Sequence, residues 1–192
     1  MRQSPKSLRP AAIAIVAVLS LTAGAAAKAP VDDIRIDNFA RVSATYYRGA
    51  QPQGSDYADL KQLGVKTVIN LIGDEDLDSR EPRNVEAQGM RYIYIPMSTR
   101  RAPTQTQVEQ FLSIVNDAAS QPVYVHCVGG KHRTGVMTAV YRMNHDGISG
   151  DAAFREMKQF GYGPDFLHPE FKNFVYAYQP KTAVAVATTQ QQ

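Results

Sequence analysis

The chain has 192 residues, 21 Lys and Arg against 18 Asp and Glu, a formal net charge of +3 and a single cysteine. Such a length is ample for one hydrophobic core and short for two. One cysteine excludes an internal disulfide. Arg2, Lys6 and Arg9 precede an apolar run over residues 11–21, and Ala25-Ala26-Ala27 supplies small residues for cleavage after Ala27, so residues 1–27 read as an export signal. The run is short for a transmembrane helix, although an uncut membrane anchor stays the alternative. Pro30 argues against a cut after Ala29, and Ala25 stands where a lipoprotein signal needs a cysteine. The mature chain, from Lys28, is expected to be periplasmic or secreted in a bacterium, without stable membrane association. Signal removal takes three of the 21 basic residues and none of the 18 acids, leaving 18 against 18. The balance is therefore no evidence for nucleic acid or an acidic membrane as a partner, no nucleic acid is expected, and only local clusters such as Lys131-His132-Arg133 and Arg100-Arg101 are candidates to select anions. The expected organisation is an N-terminal extension over 28–39, one domain over 40–179 and a polar, disordered tail over 180–192.

Periodicity then predicts a helix over 53–63, a buried strand over 67–72, a short helix near 84–88 and a second strand over 92–97. Residues 104–119 form the clearest helix, with Val108, Phe111, Leu112 and Val115 on one stripe and Thr104 as its cap. A third strand covers 123–127. After it, Val136, Ala139, Val140 and Met143 mark the buried face of a helix ended by Gly147. Ser149 caps the next helix, which carries Ala152, Ala153, Met157 and Phe160 and stops at Gly161, and residues 170–178 form a last short one. No internal repeat is visible. Alternating strands and helices give an α/β fold, a three-layer sandwich in which helices flank a central, mostly parallel sheet.

The chemistry concentrates between the third strand and the following helix, in His126-Cys127-Val128-Gly129-Gly130-Lys131-His132-Arg133-Thr134-Gly135. A loop of this length curls so that its N–H groups point inward, and the helix that follows adds its free amides and positive dipole end. Val128, Gly129, Gly130, Lys131 and His132 thus supply an anion cradle, with Gly129 and Gly130 expected to take positive φ. Arg133 closes the far side, its planar fork matching two phosphate oxygens. Cys127 sits at the floor, where the positive field favours thiolate over thiol and makes it a nucleophile. Thr134 donates its hydroxyl to the departing sulfur. A nucleotide P-loop requires glycine where Val125 stands and Ser or Thr where His132 stands, so that reading fails. A rhodanese-type sulfurtransferase and a buried structural cysteine are the remaining rivals.

The pattern His-Cys-x5-Arg-Thr-Gly resembles the active-site loop of the cysteine-dependent protein tyrosine phosphatase superfamily. The filled loop is most similar to the compact dual-specificity branch, in its atypical plant-and-fungal-like type and bacterial relatives. Tyr47-Arg48-Gly49-Ala50-Gln51-Pro52 resembles the opening strand and turn of that branch, and Lys66-Thr67-Val68-Ile69-Asn70-Leu71 its first core strand, so the likeness runs from about residue 40 to about 178. It implies the dual-specificity phosphatase fold and hydrolysis of phosphate monoesters through a phosphocysteine, with Cys127, Arg133 and Thr134 catalytic and no cofactor or metal. It also implies that His126 positions the cysteine backbone rather than titrating.

Phosphotyrosine in a protein is the expected substrate, and an inositol polyphosphate or pyrophosphate the alternative, motivated by Lys131, His132, Arg100 and Arg101. Many members take a general acid from the loop after the second strand, but here Met97-Ser98-Thr99-Arg100-Arg101-Ala102-Pro103-Thr104 holds none. Asp74, Glu75, Asp76 and Asp78, after the preceding strand, are the substitutes to consider. With no acid in reach, the enzyme favours acidic leaving groups, or the domain is a non-catalytic phosphate-binding module. The sequence leaves Lys131 and His132 open between pocket rim and solvated loop edge, and says nothing of oligomeric state.

Overall fold

The computed structural model describes residues 33–73 and 76–180. The expected signal, the Asp74 and Glu75 candidates and the tail beyond Pro180 lie outside the described residues. Five strands, β1 (Ala40–Arg41), β2 (Tyr46–Gly49), β3 (Thr67–Asn70), β4 (Arg91–Tyr94) and β5 (Val123–His126), form one sheet in the order β1-β2-β5-β3-β4. All pairs are parallel except β1 with β2. Register aligns the strand ends: Gly49 and Asn70 both pair with His126, and Asn70 with Tyr94. The loops that follow the parallel strands therefore open on one edge, with β5 in the middle.

Neighbouring residues of a strand point to opposite faces, and this alternation builds two cores. Tyr46, Ile69, Val123 and Val125 face one layer with Phe111, Val136, Val140, Phe171 and Val175. Tyr47, Val68 and Tyr124 face the other with Leu60, Leu63 and Val85. The first layer holds α3 (Gln105–Val115), α4 (His132–His145), α5 (Gly150–Gln159) and α6 (Pro169–Ala177); the second holds α1 (Asp56–Gln62) and α2 (Glu81–Ala87). Each fully buried aliphatic or aromatic side chain contributes about 1.5–3 kcal/mol. The three-layer sandwich with a mostly parallel sheet is thus the observed architecture.

The expected helices and strands all occur, most with shorter bounds. Thr104 caps α3 in a full capping box, its hydroxyl accepting from Gln107 N and its own N–H donating to Gln107 Oε1. Ser149 caps α5 by accepting from Ala152 N. Helix α2 starts earlier than periodicity suggested, at Glu81, because that carboxylate turns inward and is buried among polar partners. The hairpin of β1 with β2 and a 3-10 turn at Asp165–Leu167 had no periodic signal. Residues 33–39, ahead of the expected domain start, pack onto the second layer: Ile36 is buried and Phe39 stacks on Tyr47 and Tyr124.

Gly49 ends β2 where no larger residue fits, since a Cβ there would lie 2.3 Å from Tyr124 Oη. That hydroxyl donates to Ala50 O. Gly49→Ala is expected to destabilise the fold by about 1–3 kcal/mol, read as a lower urea midpoint at unchanged m-value. Adding Tyr124→Phe, which removes the clashing oxygen, should recover part of the loss. Equal midpoints for wild type and Gly49→Ala would show that the strand end relaxes freely.

Candidate active site

Strand β5 delivers Cys127 to the middle of the sheet edge, and α4 begins at His132, so the loop of residues 127–131 is tightly bounded. Its conformation is set from outside. Val128 O accepts from Gln51 N at 3.1 Å, Gly129 O from Asn38 Nδ2 at 2.8 Å, and Gly130 O from Arg48 Nη2. In a planar trans peptide the N–H points opposite to its C=O. Fixing three successive carbonyls outward therefore turns the amides of Gly129, Gly130 and Lys131 to the other side, as an anion nest requires. Asn38 reaches its position with φ 54°, in the left-handed region.

Only one of the two glycines is needed for positive φ. Gly130 has φ +65°, and a Cβ there would lie 2.5–2.7 Å from the backbone of Gly49 and Ala50. Gly129 is not in the left-handed region, and a Cβ on it would meet only the Lys131 side chain at 3.8 Å. The expectation for Gly129 is corrected accordingly: a single reversal at Gly130, pressed against β2, suffices to curl the loop.

Cys127 is 3% exposed and lies in a cleft of about 330 Å³ whose walls include Val128, Gly129, Lys131, His132, Arg133, Thr99 and His168. Arg133, in the first turn of α4, is buried, with Nη1 3.4 Å from Met97 O. The Thr134 hydroxyl is fully buried and has no hydrogen-bond partner. It stands one residue beyond Arg133, in the first turn of α4. Lys131 is exposed and precedes α4 without a side-chain capping hydrogen bond. His132 is half-buried, and its Nε2 lies 2.9 Å from Tyr162 O. Burial, reinforced by His168, Lys131 and Arg133, holds its pKa below the usual histidine range. Both residues border the cleft, Lys131 while remaining exposed to solvent.

Beneath the cysteine, His126 and Glu81 are fully buried with Nε2 and Oε1 2.8 Å apart, close but not aligned as a hydrogen bond. Glu81 Oε2 accepts from Asn70 Nδ2 at 2.8 Å and from Gln51 Nε2 at 3.0 Å. Asn70 Nδ2 also donates to Tyr92 Oη at 2.9 Å, and its Oδ1 accepts from Ile72 N. Burial, and behind it the Glu81 carboxylate, push the phenols of Tyr57 and Tyr92 up to about 12. Arg48 is equally buried, its guanidinium 3.9 Å from the Phe160 ring centroid. Burial pulls its pKa down, and the charges of Tyr46 and Cys127 oppose that pull.

Neither described acid among the four substitutes reaches the cleft. Asp76 is exposed, and Asp78 is held by Arg80 at 3.0 Å beside a separate hollow bounded by Gln53 and Tyr57. Arg100 and Arg101 are exposed and outside the cleft wall. Asn38, Arg48, Gln51, Glu81 and His168 were not legible as site residues; only Arg48 and Gln51 lay in a segment already singled out. Among the described residues no group of three or more His, Cys, Asp or Glu can hold a metal ion. Glu81→Ala removes the partner of His126 and the acceptor of Asn70 and Gln51. Breaking such a buried pair costs roughly 3–5 kcal/mol, to be read from urea unfolding of the variant against Glu81→Gln, which keeps the shape and should lose less.

Comparison with known proteins agrees with this geometry. The dual specificity protein phosphatase TpbA of Pseudomonas aeruginosa (strain UCBPP-PA14) is 32% identical over 129 residues, covering 67% of this chain and 56% of that protein. The chain thus spans little more than half the length of this curated relative. The crystal structure of a TpbA variant in complex with pTyr superposes with a TM-score of 0.63 at 30% identity, covering 82% of this chain and 93% of that one. The core catalytic domain of the PP-IP phosphatase SIW14 from S. cerevisiae, at 24% identity, shares the fold with a TM-score of 0.64, covering 75% of this chain and 86% of that one. Residues 29–164 match the family described as DSP-PTPase phosphatase fused to NAD+ kinase, and the chain belongs to that dual-specificity family of the cysteine-dependent phosphatases.

Proposed function

We propose that the protein hydrolyses phosphate monoesters through a phosphocysteine intermediate. One observation carries this reading: Cys127, Arg133 and the outward-pinned loop meet in one cleft, with the unpaired Thr134 hydroxyl in the same turn. A phosphoryl group seated on the loop amides is held by the Arg133 fork across two oxygens. Its phosphorus then stands over the Cys127 sulfur. In-line attack forms an S–P bond and expels the leaving oxygen, and the amides and Arg133 stabilise the charge that builds on the equatorial oxygens. Water then displaces the sulfur, and Thr134 donates its hydroxyl to the departing thiolate.

The favoured substrate is phosphotyrosine in a protein, supported by the family and by the pTyr complex of the TpbA variant. An inositol polyphosphate or pyrophosphate is the second reading, favoured by the cations Lys131 and Arg133 in the cleft wall and by the fold shared with SIW14. Export is part of the proposal; residues 1–27 support it, and the mature N-terminus is expected at Lys28.

Turnover of an aryl phosphate in the presence of a chelator is expected for the wild type and absent for Cys127→Ser. Undiminished activity of that variant would overturn the mechanism, and binding without multiple turnovers would favour the phosphate-binding module. Vanadate, which occupies the same seat, should protect Cys127 from iodoacetamide. Paired kinetics on a phosphotyrosyl peptide and an inositol polyphosphate decide the substrate: a large preference for the peptide removes the second reading, and the reverse removes the first.

A further inference from the structure

The cleft contains three titratable side chains to which the preceding mechanism assigns no step, Lys131, His132 and His168. His168 stands immediately before α6, and its ring forms part of the wall that also includes Cys127 and Arg133. It is firmly held. Nδ1 lies 3.3 Å from Glu170 Oε1, and the ring packs on Phe171, Tyr162 and His132 with centroids 5.9, 6.3 and 3.9 Å away. The His168 carbonyl accepts the Tyr162 hydroxyl, which fixes the backbone as well. The side chain remains 22% exposed, so it addresses the cleft rather than the core.

Its neighbour cannot take the same part. His132 is engaged through Nε2 with Tyr162 O, and burial and the cations around it disfavour its charged form. His168 has the Glu170 carboxylate beside Nδ1, which orients the ring. The charged groups facing it are Glu170 from α6 and Lys131, His132 and Arg133 from the start of α4; Asp165, in the nearby turn, is occupied by Lys158 and Lys172 at 2.7 and 2.8 Å. Among the described residues no carboxylate lines the cleft.

We propose that His168, oriented by Glu170, is the proton carrier of the reaction, in a role that no carboxylate among the described residues is placed to fill. The proposal rests on the phosphocysteine reading. In the first step the Cys127 thiolate forms the S–P bond, the P–O bond breaks with its electron pair on the leaving oxygen, and His168 Nε2–H delivers the proton to that oxygen. The neutral imidazole then takes a proton from the attacking water as the new P–O bond forms. The S–P bond breaks with its pair on sulfur, phosphate leaves, and His168 is again protonated. Both proton and electron counts close over the cycle.

General acid catalysis contributes about 10²–10⁴-fold where the leaving group is poor and little where it is already stable as an anion. His168→Gln is therefore expected to lower kcat/KM, which reports the first step without the common hydrolysis of the phosphocysteine, by about 100-fold on phenyl phosphate or a phosphoseryl peptide and by only a few-fold on p-nitrophenyl phosphate, steepening the dependence of kcat/KM on leaving-group pKa. Glu170→Gln should steepen it less. Vanadate protection of Cys127 in both variants reports that the cradle is intact. An equal loss across all leaving groups, or no loss on any, overturns the assignment of His168 while Cys127→Ser still abolishes turnover. Retained turnover in Cys127→Ser would instead overturn the reading on which the assignment depends.

Discussion

The cradle depends on three hydrogen bonds that hold the carbonyls of Val128, Gly129 and Gly130 away from the cleft. A loop of successive inward amides is unfavourable by itself, because its dipoles repel and its carbonyls need partners. Here the partners are Gln51 N, Asn38 Nδ2 and Arg48 Nη2, all outside the loop. The arrangement makes the anion site a property of the junction between β5 and the end of β2. The close contact of Gly130 with Gly49 and Ala50 follows from it, since the carbonyls reach these donors only when the two backbones touch.

The sheet supplies the geometry that makes the junction possible. Parallel strands in one register place the ends of β2, β5 and β3 side by side, so groups from distant stretches meet within hydrogen-bond distance. Glu81 uses this alignment. It takes donors from the end of β3 and from the segment after β2 while lying against His126, and so ties the strand ends beneath the cysteine. Two cores press on the sheet from opposite faces, and removal of either would free the strand ends to drift. The polar network beneath the site is therefore rigid because apolar layers enclose it.

Across the cleft from this rigid side, the wall is made of residues whose position depends on helix packing. His132 belongs to α4, His168 precedes α6, and their rings meet at 3.9 Å. Tyr162 links the two, its carbonyl accepting from His132 Nε2 and its hydroxyl donating to the His168 carbonyl. The side that binds phosphate is thus built from sheet and loop. The side that meets the leaving group is built from helices of one layer, and such a division lets the leaving-group wall vary while the phosphate seat is kept.

The sequence by itself determined the layered α/β fold, the helix caps at Thr104 and Ser149, and the phosphatase family, through the loop that carries Cys127, Arg133 and Thr134. Those signals are local: hydrophobic period, capping residues and a loop with fixed spacing all act within about a dozen residues. The tertiary structure decided that Asn38, Arg48 and Gln51 form the outer clamp, that Glu81 supports His126, that only Gly130 reverses the backbone, and that His168 joins the wall. Each of these depends on two segments far apart in the chain meeting at one sheet edge, and a single polar residue in a charged or mixed stretch, such as Glu81 near Asp78 and Arg80 or His168 before Pro169, carries no periodic mark of the partner it will find. Register across the sheet and packing of helix on helix set those meetings, and neither is written in local order.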